Sequence, residues 1–92
     1  MIYNVIVTPE AEEGLDMLYK SGNKKLVEKA LVMLEEISRT PRSGTGKPEQ
    51  LKGYNEEMWS RCINSRHRLI YEIQEDYLTV YAISAFGHYG DK

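Results

Sequence analysis

The sequence is poor in the residues that staple or anchor a chain. A single cysteine, Cys62, among 92 residues excludes an internal disulfide and any multi-cysteine zinc site, which fits a reducing cytosol. With only two histidines, His67 and His88, no metal-ligand cluster occurs at a recognisable spacing, so no metal and no other cofactor is expected. No apolar run approaches the ~20 residues needed to span a bilayer. The start of the chain also lacks a basic segment followed by an apolar stretch. Repeats and low-complexity segments are missing too. The chain reads as a soluble, cytoplasmic protein with no membrane partner. Its length leaves room for one core, so residues 1–92 are expected to form a single domain.

There is little net charge either. A formal value of −2 argues against a nucleic-acid binder when taken over the whole chain. The distribution is uneven. Residues 39–68 carry seven Lys and Arg against three acids, and the segments on either side are each acidic. That middle is a local footprint suited to a polyanion, or else a solvated charged surface. Charge alone leaves both readings open.

What is present alternates in period. Ile2 to Val7 is β-branched and apolar and predicts a buried strand. Thr8 and Pro9 form a helix start, with a hydroxyl cap and a proline whose fixed φ suits the first turn. Ala11, Leu15, Leu18 and Tyr19 then fall on one stripe, and Ser21-Gly22-Asn23 turns the chain. A second helix is expected from about Lys24 to Arg39. Leu26, Ala30, Leu34 and Ile37 line its apolar face, widened by Val27, Leu31 and Met33. Glu35 and Glu36 read as a solvated face, and Pro41 closes the helix.

Arg42 to Pro48 is a loop with Gly44 and Gly46, but it lacks the spacing and the Lys-Ser/Thr pair of a phosphate-binding P-loop. It serves as a lead-in that places Glu49 and Lys52. Lys52 to Glu57 is read as a further turn. Met58 to Ile63 alternates, with Trp59, Arg61 and Ile63 on one face and Met58, Ser60 and Cys62 on the other. Arg66 to Gln74 sets His67, Leu69, Tyr71 and Ile73 against Arg66, Arg68, Ile70 and Glu72. Tyr77 to Ala85 supplies a last strand. The expected fold class is α+β: a two-layer domain with an N-terminal strand, a helical hairpin and a three-strand antiparallel meander. One sheet face is expected to stay partly open.

Three side chains carry possible chemistry. The Glu49 carboxylate can take a proton from a hydroxyl, although most loop glutamates are only solvated. The Arg68 guanidinium matches phosphate oxygens in its planar fork, or else pairs with Glu72 on the same strand face. His88 can protonate a leaving oxygen near neutral pH, or simply lie in a frayed tail, and the ring of Tyr89 can stack on a base. His67 and Trp59 read as core-edge and core side chains. A base, a cation and an acid together are what RNA cleavage without a metal requires. Spacing alone does not establish that set.

Four motifs together resemble a known family. Gly-x-Gly-Lys-Pro-Glu-x-Leu-Lys from Gly44 to Lys52, Trp-Ser-Arg from Trp59 to Arg61, His-Arg-Leu-Ile-Tyr from His67 to Tyr71, and the late His88-Tyr89 resemble the YoeB/Txe toxins. These belong to the RelE/ParE superfamily of bacterial toxin–antitoxin systems. The resemblance implies a sheet with an N-terminal helical hairpin and a ribosome-dependent endoribonuclease that cuts mRNA in the A site. It also implies a cognate YefM/Phd-type antitoxin and allows a homodimer. Carried over by motif, Glu49 is the general base, Arg68 the phosphate-stabilising cation and His88 the general acid. Tyr89 helps position the substrate. Lys52 and Arg61, with Lys47 and Arg66, are the basic residues expected to bind RNA. The competing reading is a non-catalytic toxin-fold binding module, as in gyrase-poisoning ParE relatives, or a decayed toxin.

Overall fold

The computed structural model describes residues 2–77 and 79–84. In chain order it contains β1 (Asn4–Val7), α1 (Pro9–Lys20), α2 (Lys24–Ile37), β2 (Glu49–Leu51), β3 (Glu57–Cys62) and β4 (Arg68–Gln74). A 3-10 turn (Glu75–Tyr77) then leads to β5 (Thr79–Ser84). Among the described residues the strands make one five-stranded sheet in the order β1-β5-β4-β3-β2. The meander β3-β4-β5 and the β2-β3 pair are antiparallel, whereas β1 runs parallel to β5. The fold is the expected α+β arrangement.

Local chemistry explains the helices. Thr8 is the N-cap of α1, and its Oγ1 accepts the Ala11 N–H at 3.2 Å, with Pro9 opening the first turn. Gly22 takes a left-handed φ of 87° and swings the chain into α2. Ala11, Leu18, Ala30, Met33 and Ile37 pack from the hairpin onto Ile63, Leu69, Tyr71 and Ile73 of the sheet. Tyr3 and Val5 join from the β1 side, and Trp59 lies against the same cluster. Lys29 Nζ donates to the Ile63 carbonyl at 2.9 Å and pins α2 over the end of β3.

Three expectations need correction and a fourth is refined. Tyr19 and Leu31, assigned to the core stripes, are more than half exposed, because the sheet covers a narrower sector of each helix than the apolar residues occupy. The first strand is an edge rather than a buried strand. Only its Tyr3 and Val5 side turns inward, and Ile2, Ile6 and Val7 are exposed. Glu49, read as a loop glutamate, lies on a strand: after the Arg42–Pro48 loop, Glu49–Leu51 pairs with β3 as the opposite edge strand, and the expected turn follows from Lys52 to Glu56. The sheet face turned away from the helices is partly open, as expected, at Glu49, Cys62 and Arg68, but it is closed at its centre. Met58, Ser60 and Ile70 are buried there.

Candidate active site

Strand alternation and register define a second face of the sheet. Leu69, Tyr71 and Ile73 point toward the helices, so Arg68, Ile70 and Glu72 point away. Across β3, Ser60 lies opposite Ile70 and Cys62 opposite Arg68. Across β2, Glu49 lies opposite Ser60. Glu49, Ser60 and Ile70 therefore form one row over three strands, and Cys62 with Arg68 forms the next row on the same face. Two strand spacings and a two-residue offset separate the Cα atoms of Glu49 and Arg68 by about 12 Å. Glu49 is exposed on its edge strand and Arg68 is half-buried. Beside this patch the β4-β5 register slips between Ile70 and Tyr71, the kind of irregularity that re-aims side chains.

Arg61 is not on that face, and its assignment to RNA contact is corrected. Its alternation partners are Trp59 and Ile63, and it is 0% exposed beneath the glycine loop. All five guanidinium N–H groups can be accounted for in the fold. Nε donates to the Tyr71 hydroxyl at 3.1 Å. Nη1 donates to Glu36 at 2.9 Å and to the Thr45 carbonyl at 3.3 Å. Nη2 donates to the carbonyls of Thr40 at 3.0 Å and Ser43 at 2.7 Å. The Tyr71 hydroxyl in turn donates to the Pro41 carbonyl at 2.7 Å. The loop from Thr40 to Thr45 is wound around one buried cation.

That winding also explains the glycines. Gly44 has φ of 127°, and a Cβ there would sit 2.5 Å from a Glu36 oxygen and 3.0 Å from Arg61 Nη1. Gly46 has φ of 90°, and a Cβ there would lie 2.6 Å from Met33 Cε and 2.9 Å from the Cys62 carbonyl. The Gly-x-Gly pattern thus lets the backbone close over the Arg61–Glu36 pair and then deliver Lys47, Pro48 and Glu49. Lys47 completes the bend with φ of 52°, rare for a residue with a side chain.

Glu36 is the residue that sequence reasoning missed. Read as a solvated carboxylate, it accepts the Thr45 N–H and the Thr45 hydroxyl, each at 2.7 Å, as well as Arg61. The available signal was Arg61 itself. An arginine alternating with Trp59 and Ile63 on an apolar face requires a buried acceptor set.

The basic middle of the chain is partly neutralised, with Arg39, Arg42 and Arg61 paired to acids. Arg39 pairs with Glu35 at 2.7 Å. Arg42 holds Glu57 by two bonds, at 2.7 and 3.0 Å, and Glu75 at 3.0 Å. Trp59 Nε1 donates to Glu57 and the Tyr3 hydroxyl donates to Glu75, closing a second clamp at the other end of β3. Lys47, Lys52 and Arg66 remain exposed on the loops flanking β2 and β4. His67 is half-buried, and its N–H is capped by the Asn64 side chain at 2.8 Å. His88 and Tyr89 lie outside the described residues.

These pairings shift carboxyl groups in one direction. The Thr45 hydroxyl and N–H, followed by Arg61, hold Glu36 below the usual carboxylate range. Arg42 does the same for Glu57, and the Tyr3 hydroxyl with Arg42 for Glu75. A carboxylate whose pKa is lower in the folded state adds stability that is complete above its unfolded value of about 4.3. That stability disappears as pH falls through the lower folded values. The melting temperature is therefore expected to stay level above about pH 5 and to fall below about pH 4. Glu36→Gln should make the fall shallower. Stability already lost between pH 7 and 5 would show that other groups govern the acid transition.

A family model described as "YoeB-like toxin of bacterial type II toxin-antitoxin system" matches residues 8–89. A toxin YoeB from Synechocystis sp. is 41% identical over 71 residues, spanning 77% of this chain and 80% of the relative. Among solved structures, a YoeB/ParE toxin from Agrobacterium tumefaciens superposes with a TM-score of 0.82 at 29% identity, covering 94% of this chain and 99% of that one. YoeB from Staphylococcus aureus, solved as a dimer, gives 0.76 at 33% identity over 97% and 100% of the two chains, and it has also been solved in complex with YefM. The helical hairpin on a five-stranded sheet, shared with these solved toxins, places the chain among toxins of the RelE/ParE type. This chain belongs to the YoeB-like toxin family and is the toxin of a bacterial type II toxin–antitoxin system.

Proposed function

We propose that this toxin is a ribosome-dependent endoribonuclease that cuts mRNA by acid–base transesterification and so inhibits translation in the cytoplasm. The observation that carries this reading is the placement of Glu49 and Arg68 on one sheet face, two strands apart. Glu49 takes the proton of a ribose 2′-hydroxyl. The freed oxygen attacks the adjacent phosphorus, and the bond to the departing 5′-oxygen breaks. Arg68 takes up the negative charge that builds on the phosphate oxygens. His88 returns a proton to the leaving oxygen, and Tyr89 stacks against a base. Lys47, Lys52 and Arg66 hold the flanking backbone. Every step uses side chains alone, so the reading requires no metal.

The partner follows from the relatives. With a family member solved with YefM and as a dimer, a YefM/Phd-type antitoxin and a homodimer are the proposed assemblies of this chain. The test is induced expression with mapping of mRNA 5′-ends, comparing the parent with Glu49→Gln. New 5′-ends within translated regions are expected for the parent. Their loss in Glu49→Gln, with the melting temperature unchanged, supports the base assignment. Each proton-transfer partner contributes on the order of 10²–10⁴ in rate. A Glu49→Gln variant that cuts like the parent removes the reading.

A further inference from the structure

Ser60 carries an orphan. Among the described residues its Oγ is the buried side-chain polar atom that has no hydrogen-bond partner, and the residue is 0% exposed. A hydroxyl shut away from water with its bond unmade is costly, and such groups in native folds call for an explanation. Its position supplies one. Ser60 stands directly opposite Glu49 in the β2-β3 ladder, and directly opposite Ile70 in the β3-β4 ladder. Directly opposed residues on one sheet face have Cβ atoms about 4.5–5.5 Å apart. A serine hydroxyl and a glutamate carboxylate bridge such a gap by one hydrogen bond. Glu49 is exposed on an edge strand, so its side chain has room to move toward or away from Ser60.

We propose that Ser60 is a positioning residue for Glu49: when RNA covers this face, the Glu49 carboxylate folds down and accepts the Ser60 hydroxyl. This rests on the reading of Glu49 as the base. The bond does two things. One carboxylate oxygen is held by Ser60 while the other is left to take the 2′-hydroxyl proton. Donation to a carboxylate also favours its ionised form, which keeps the base deprotonated to lower pH. In the free protein the hydroxyl has no partner among the described residues, and the substrate-covered state satisfies it. Stability is given up in one state for orientation in the other.

Ser60→Ala and Ser60→Cys separate this from a packing role. Alanine removes the orphan. Cysteine keeps a polar side chain in place but is larger and donates only weakly. Both are measured by thermal melting and by single-turnover cleavage of ribosome-bound mRNA against pH. The expected result is a melting temperature at or above the parent's for Ser60→Ala. The cleavage rate should fall about ten- to a hundredfold in both variants, matching loss of one hydrogen bond to a charged group. The acid limb of the rate profile should move to higher pH, and ribosome binding should stay unchanged. If both variants cleave at the parental rate with the same acid limb, Ser60 does not position the base. A Ser60→Ala protein that melts well below the parent points to packing, and Ser60→Cys then decides by its rate and acid limb. Glu49→Gln runs alongside. If it cleaves normally, the base assignment itself fails; if it is inactive while both Ser60 variants are normal, only the Ser60 proposal falls.

Discussion

Arg61→Ala should behave as a folding mutant. Removing the guanidinium strips the hydrogen bonds from the carbonyls of Thr40, Ser43 and Thr45, and leaves Glu36 facing a void instead of a cation. Breaking a buried pair from one side costs about 3–5 kcal/mol. Glu36 keeps some access to water, at 29% side-chain exposure, which favours the lower end of that range. Even about 3 kcal/mol is a large fraction of the roughly 5–15 kcal/mol that holds a typical domain together. For a domain of this size the melting temperature should drop by at least about 12 °C. Arg61→Lys is the sharper comparison. Lysine keeps the charge but offers three donors on a flexible stem, so it cannot reach the Tyr71 hydroxyl, Glu36 and three carbonyls at once. It should melt below the parent as well. If Arg61→Lys melts like the parent and weakens only RNA binding, the residue acts through its charge and not as the hub of the loop.

Arg68→Ala should show the opposite profile. Arg68 is half-buried on the far face of β4 and has a partner within the fold, so its removal costs little stability, on the scale of a surface ion pair. The expected change in melting temperature is a few degrees at most. Cleavage of ribosome-bound mRNA should fall by about 10²–10³, the effect of deleting one group that stabilises charge in the transition state. Ribosome association should weaken only modestly, because the lost interaction matters most at the phosphate in flight. Two arginines seven positions apart would thus separate cleanly, one in the melting curve and one in the rate. If Arg68→Ala cuts at the parental rate, Arg68 serves only the fold and the proposed chemistry loses its cation.

Much of this was legible in the chain. Thr8-Pro9, the Gly22 turn and Pro41 bound the hairpin by local backbone chemistry, and these signals act over a few residues. The alternation from Met58 to Ile63 already put Arg61 beside Trp59 and Ile63, on the side that became the core. What the alternation lacked was the sign of that fact: an arginine on an apolar face can be a partnered core residue. Residue counts misled in the same way. Arg39, Arg42 and Arg61 added to a basic middle, yet each is matched by an acid distant or near, in Glu35, Glu57, Glu75 and Glu36.

The sequence by itself determined the two helices, four of the five strands, the family motifs and which side chains share a strand face, because period-2 and period-3.6 patterns are set by adjacent residues. Only the tertiary structure decided that β1 is an edge strand parallel to β5, and that Glu49 sits on a strand rather than in a loop. It also decided that the Gly-x-Gly segment encloses Arg61 and Glu36 and that Ser60 is buried opposite Glu49. Each of these depends on contacts between residues from eight to 75 positions apart. Register and burial come from the sum of the contacts closed at once, and no local window of residues contains that sum.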